Sequence, residues 1–95
     1  KSGVPFIIQA LKNEDFSVRF YAAEALGELG DKDAVTPLIL ALKDDFSQVR
    51  MSAAIALGKL NDKAALPALK KLLSTEIDQD AVNAINKAIK TLENH

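Results

Sequence analysis

Apolar residues recur along this chain at helical spacing. From Ser17 to Gly30, Val18, Ala22, Ala25, Leu26 and Leu29 stand at i, i+4, i+7, i+8 and i+11, one stripe of an amphipathic helix. Val49, Ala53, Ala56, Leu57 and Leu60 repeat that stripe, and Val82, Ile85, Ile89 and Leu92 give a third. A shorter stripe precedes each: Val4, Ile7, Ile8 and Leu11; Val35, Leu38, Ile39 and Leu42; Leu66, Leu69, Leu72 and Leu73. Polar turns separate them. Gly30-Asp31-Lys32-Asp33 and Asn61-Asp62-Lys63 suit left-handed helix ends. Asn13-Glu14-Asp15, Asp44-Asp45 and Thr75-Glu76 divide the short helices from the long ones. Pro5, Pro37 and Pro67 fall in the first turns of the short helices, where a missing N–H costs nothing. The pattern predicts six helices in three antiparallel pairs and leaves no room for strands.

The pairs are copies of one another. Shifting Val18–Leu42 by 31 positions onto Val49–Leu73 gives 13 identities in 25. A repeat of this length means a stack in which each unit buries its neighbour's apolar face. The expected fold is an all-α solenoid, a superhelix of about 31 residues per repeat, forming one domain over residues 1–95 with units near 3–30, 31–61 and 62–95. Gly27 and Gly58 recur inside the long helices, where glycine costs about 1 kcal/mol relative to alanine. Their shared phase predicts a neighbouring helix passing close by. The third unit departs from the pattern. Matching Leu92 to Leu60 needs one extra residue, placed near Ile77 to Asp80. Val82 then replaces the arginine and Lys90 the glycine. Asn83, Asn86, Lys87 and Lys90 make the last helix polar enough to be a C-terminal cap.

Composition narrows the function classes. A hydrophobic content of 48% with 26% charge is that of a folded domain, not a disordered one. Aromatics are few and alanine is abundant, so helix axes can approach closely. The absence of cysteine excludes disulfides, thiolate zinc sites and a cysteine nucleophile, and fits a cytoplasmic, reducing setting. No apolar run is long enough to span a membrane. The net charge of −1 gives no bulk attraction to nucleic acid, and Glu24 and Glu28 argue against a basic groove. The chain opens Lys1-Ser2-Gly3 without a methionine and enters a helix at once, as expected of a piece of a longer protein.

The run Asp33-Ala-Val-Thr-Pro-Leu-Ile-Leu-Ala-Leu-Lys-Asp-Asp, then Val49-Arg50, Ala53-Ala54 and Ala56-Leu57-Gly58, resembles the HEAT-like repeats first associated with phycobilisome lyases. Val4-Pro5 through Leu11-Lys12 and Val18-Arg19 through Gly27-Glu28 match again, so the likeness runs from about Gly3 to Leu92. It is specific for the type of repeat and not for an activity. It implies that the second helix of each pair lines a concave surface. It also implies that Arg19 and Arg50 are rungs of a structural ladder, pairing with an acidic loop residue of their own or the next unit.

Candidate chemistry is sparse. His95, the only histidine, is the last residue and is expected to have no role. No serine or tyrosine stands beside a plausible base, and Asp44-Asp45 reads as a solvated turn. No catalytic residue, metal or cofactor is expected. The informative positions are those that differ between units: Phe20, Tyr21, Glu24 and Glu28 in the first long helix, Met51, Ser52, Ile55 and Lys59 in the second. On a concave face, Phe20, Tyr21, Met51 and Ile55 form an apolar cluster edged by Glu24, Glu28, Lys59 and Lys87, and exposed apolar clusters signal contact. The expected function is a non-enzymatic protein-interaction or scaffold module. It would hold a protein or peptide partner through Phe20, Tyr21, Glu24, Met51, Ile55 and Lys59. Packing between units and self-association through the N-terminal repeat face remain open for the same residues. The alternative is a phycobilin lyase-like protein whose groove handles a chromophore.

Overall fold

The structure, a computed structural model, describes residues 3–94. His95, Lys1 and Ser2 lie outside the described residues. Six α-helices follow in chain order: α1 (Val4–Ala10), α2 (Phe16–Leu29), α3 (Val35–Ala41), α4 (Ser47–Leu60), α5 (Leu66–Leu73) and α6 (Gln79–Glu93). A single 3-10 turn introduces α3 at Lys32–Ala34 and another introduces α5 at Lys63–Ala65. Short and long helices alternate, and no strand occurs among the described residues.

Local chemistry sets where the helices start and stop. The Asp15 carboxylate accepts the Ser17 backbone N–H at 2.8 Å and opens α2. Asp78 accepts the Ala81 N–H at 3.0 Å and opens α6. Such caps satisfy N–H groups that have no partner inside the helix. Gly30 (φ 71°) and Asn61 (φ 57°) stop α2 and α4 in the left-handed region, which glycine enters freely and asparagine tolerates. The chain then turns through Asp31 and Asp62, whose carboxylates accept the N–H groups of Asp33 and Ala64 at 2.9 Å.

The core lies between the units. Leu26, Leu38, Val49, Leu57, Leu69, Ile85 and Leu92 are fully buried. The middle long helix, α4, packs against both α2 and α6. An ideal Cβ placed on Gly27 would stand 2.9 Å from both Cα and Cβ of Ala56. One placed on Gly58 would stand 3.4 Å from the same atoms of Ala88. The recurring glycines therefore mark a seam where the backbones of successive long helices nearly touch. The short helices have no comparably close backbone approach to one another. Long helices held together and short helices splayed apart curve the stack, with the long helices on the inner face.

Two details differ from the periodicity. Val18 and Leu29 belong to the predicted apolar stripe, yet they are 37% and 50% exposed, whereas their counterparts Val49 and Leu60 are 0% and 3% exposed. The unit formed by α1 and α2 packs beside α4, and nothing among the described residues packs on the corresponding side of α2. The extra residue of the third unit also sits earlier than Ile77. Helix α5 has 8 residues against 7 in α3, so the insertion is absorbed at its C-terminal end.

The seam makes the two glycines unequal. Gly27→Ala must push the Ala56 backbone away, and overpacking of this kind costs about 1–3 kcal/mol. Gly58→Ala meets only ordinary contact and gains up to about 1 kcal/mol in helix propensity. Urea unfolding is expected to show a lowered midpoint for the first variant and an unchanged or raised one for the second. Equal losses would contradict the close approach at Gly27.

Candidate functional site

The inner face carries most of the residues singled out from the sequence. Phe20, Glu24, Met51, Ile55 and Lys59 line one shallow groove between α2 and α4, with Ser52 and Ala56 at its floor and a volume of about 70 Å³. Phe20 and Met51 are half-buried and form its walls; Ile55 is 43% exposed. Tyr21 lies outside the groove, 63% exposed, its ring edge-on to Phe20 with centroids 5.0 Å apart. Ser52 is not a surface residue. It is buried, and its hydroxyl donates to the Phe20 carbonyl at 2.9 Å, tying α4 to α2. Its variation between units reflects packing. The groove opens toward a hollow of about 460 Å³ between α4 and α6, which shares Ile55 and Lys59 and adds Asn83, Ala84, Lys87 and Thr91. Lys59 forms an ion pair with Glu28 across the α2–α4 seam. Glu24 on α2 and Lys87 on α6 are exposed at opposite ends.

The two arginines point to the loop end of the stack. The Arg19 guanidinium donates through Nε and Nη2 to the two carboxylate oxygens of Asp44, at 2.7 and 3.2 Å. Its Nη1 donates to the backbone carbonyls of Asn13 and Glu14. Arg50 repeats the arrangement one unit on. Nε and Nη2 donate to Glu76 at 2.6 and 2.9 Å, and Nη1 donates to the Asp44 carbonyl at 2.8 Å. Each arginine thus holds its own loop by the backbone and the next loop by a carboxylate, using the planar fork that suits bidentate pairing. Each carboxylate also accepts a backbone N–H two residues on, Phe46 for Asp44 and Asp78 for Glu76. These shared roles identify Glu76 as the counterpart of Asp44. The Glu76 side chain is 1% exposed. Hydrogen bonds from Arg50 hold its carboxyl below the ordinary glutamate range, against the upward push of burial.

A second surface escaped the sequence reading. On the outer face, the short helices α3 and α5 enclose a hollow of about 500 Å³ with an apolar lining that includes Ile39, Leu42, Leu72 and Ile77. Periodicity assigns the first three to the core, and they are its outward margin. Ile77 occupies the turn position held by Asp45 in the preceding unit, and it is 93% exposed. An isoleucine in an otherwise acidic turn was the available signal.

Comparison with known proteins gives a consistent picture. A family model described as HEAT repeats matches residues 4–90. No curated protein sequence matches. Among solved structures, the complex of CpcE and CpcF of phycocyanin lyase from Nostoc sp. PCC7120 superposes with a TM-score of 0.87 and 32% identity, covering 95% of this chain and 37% of that one. Human deoxyhypusine hydroxylase in complex with glycerol superposes with a TM-score of 0.87 at 23% identity, over 100% of this chain and 33% of that one, a likeness of fold alone. Epoxyqueuosine reductase with a tRNA-Tyr epoxyqueuosine-modified stem loop gives 0.74 at 34% identity, over 80% of this chain and 20% of that one. The chain therefore spans about a third or less of the length of each. These neighbours overturn the expectation of a non-enzymatic protein, since all three are named as enzymes or enzyme subunits. The physical reason is modularity: a repeat segment is a scaffold, and chemistry in other parts of a longer chain leaves no trace in its residues. No helix among the described residues is long and apolar enough to cross a membrane.

The lowered pKa of Glu76 gives the ladder a pH signature. Its contribution is complete above the unfolded glutamate value of about 4.3 and is lost as pH falls through the lower native value. Glu76→Gln is expected to cost about 1–3 kcal/mol at neutral pH. In urea titrations, the gap between the variant and the parent should close as pH falls below about 4. A gap that stays constant with pH would contradict an ionised pair.

Proposed function

This chain belongs to the HEAT-repeat family, and from that premise we propose that it is an interaction scaffold that holds a partner polypeptide along its long-helix face. The observation that carries the reading is the placement of Tyr21 and Ile55. Both are large apolar side chains left exposed on a face whose frame is small and closely packed. Phe20, Met51, Glu24 and Lys59 give that face walls and polar edges. Anchors of this kind concentrate binding energy in a few residues. The scaffold is compatible with a place inside an enzyme or beside one, and protein–protein contact is common in repeats of this family.

The test uses a photo-crosslinking amino acid in place of Tyr21 or Ile55, with Lys63, an exposed turn residue, as the control position. A discrete adduct from positions 21 and 55, absent at 63, is expected. Its yield should fall at least fivefold on adding Glu24→Lys and Met51→Ala together, in a variant whose melting curve shows a folded chain. Equal adducts from all three positions, or an unchanged yield in the folded double variant, would remove this face from the account.

A second reading is favoured by one finding, the 32% identity to the phycocyanin lyase complex over 95% of this chain. The hollow between α4 and α6 would then handle a linear tetrapyrrole rather than a polypeptide. Mixing the chain with phycocyanobilin should shift and sharpen the long-wavelength absorption band, and Ile55→Lys should abolish the shift. An unaltered spectrum would set chromophore handling aside for these residues.

A further inference from the structure

The outer face carries a repeated site of its own. The hollow between α3 and α5 has a counterpart of about 240 Å³ between α1 and α3. The two are built from equivalent positions 31 residues apart. Ile8 and Leu11 of the first correspond to Ile39 and Leu42 of the second, and Lys12 corresponds to Lys43. The ladder carboxylates Asp44 and Glu76 close the corresponding ends. The hollows exist because the glycine seam draws the long helices together while the short helices splay.

Charge on this face is one-sided. Asp44 and Glu76 are already bound by Arg19 and Arg50. Lys12 and Lys43, with Lys71 on the far wall, are exposed and have no ion pair among the described residues. Glu14 and Asp45 stand on the loops and line neither hollow. Ile77, 93% exposed, extends the apolar lining at the loop end.

We propose that the outer face is a second docking site, and that its occupant is an acidic amphipathic peptide segment laid across the short helices. Aliphatic side chains of that segment enter the two successive hollows, and neighbouring carboxylates reach Lys12, Lys43 and Lys71. Packed helix axes lie about 8–10 Å apart and the splayed short helices stand farther, so the spacing is at least the roughly 10 Å rise of about seven residues of α-helix. Aliphatic anchors seven residues apart are the closest spacing that serves the two hollows. A polypeptide is favoured over an anionic lipid surface. The hollows are recessed and take individual side chains, and three lysines fall short of the roughly four to eight basic residues of a lipid-binding cluster. The proposal goes beyond the inner-face reading and stands on different residues, so either can fail alone.

The probe is a fluorescein-labelled 18-residue helical peptide with leucines seven apart flanked by glutamates, measured by fluorescence anisotropy at low salt. A peptide with every glutamate replaced by lysine is the charge control. Binding of the acidic peptide is expected, weakened at least tenfold by Lys43→Glu with Lys71→Glu and at least threefold by Ile77→Ser. Ile55→Lys on the inner face should leave it unchanged. Because Lys43, Lys71 and Ile77 are exposed, these variants keep the fold, and circular dichroism checks that they do; should the double charge reversal not fold, Ile77→Ser decides. No binding of the acidic peptide, equal binding of the basic one, or full binding by the folded variants would overturn the proposal. Co-sedimentation with phosphatidylserine vesicles but no peptide binding would reassign the face to lipid and overturn it equally.

Discussion

Small residues determine how closely successive long helices lie, most tightly at Gly27, and much of the rest of the molecule follows from that distance. Gly27 faces Ala56 and Gly58 faces Ala88, so at each crossing a hydrogen or a methyl meets backbone. A larger residue at Gly27 would force the helices apart. The alanines that dominate the long helices serve the same end: Ala23, Ala53, Ala54, Ala56 and Ala88 are buried in or beside these seams. The bulk of the core comes instead from leucines where short and long helices meet, among them Leu38, Leu57 and Leu69. Small residues on one side and large ones on the other make each unit a wedge. Stacked wedges curve, which produces an inner face of closely apposed long helices and an outer face on which the short helices stand apart.

The arginine ladder complements the seam at the loop end. Glycine and alanine fix the separation of the helices but not the position of the turns that follow the short ones. Arg19 and Arg50 do that, each grasping its own loop carbonyls and the next loop's carboxylate. Because Asp44 and Glu76 each also accept a backbone N–H of their own turn, one side chain serves both the turn and the link between units. The third unit has no such rung, because Val82 stands where Arg19 and Arg50 stand in the first two.

Much of this was legible in the residues, and the parts that were not share a physical cause. Recurrence at one phase exposed the seam, because an interior glycine in a helix needs a reason and two at the same phase need the same reason. The left-handed ends at Gly30 and Asn61 were legible because they are local. The partners of Arg19 and Arg50 were open, since the six-residue spacing leads to the loop of the same unit, and only the fold brings in carboxylates 25 and 26 residues away. The length of the insertion was fixed by Leu60 and Leu92, but its place was not, because no identity between Leu73 and Ala88 marks where the shift occurs. Exposure of Val18 and Leu29 could not be read from periodicity, which records which side of a helix is apolar and not whether a neighbour covers it. Ser52 had the same difficulty in reverse, a polar side chain buried by a hydrogen bond to a carbonyl of another unit. The outer hollows were invisible because they arise from the wedge shape and not from any run of residues.

The curvature and both faces depend on the long helices meeting closely at Gly27–Ala56 and at the matched point Gly58–Ala88. A proton nuclear Overhauser measurement on the folded chain tests this without altering it. Strong cross-peaks are predicted between the Gly27 Hα protons and the Ala56 methyl, and between the Gly58 Hα protons and the Ala88 methyl. A chain with all six helices intact but neither cross-peak would contradict the seam, and with it the curvature and both faces built on it.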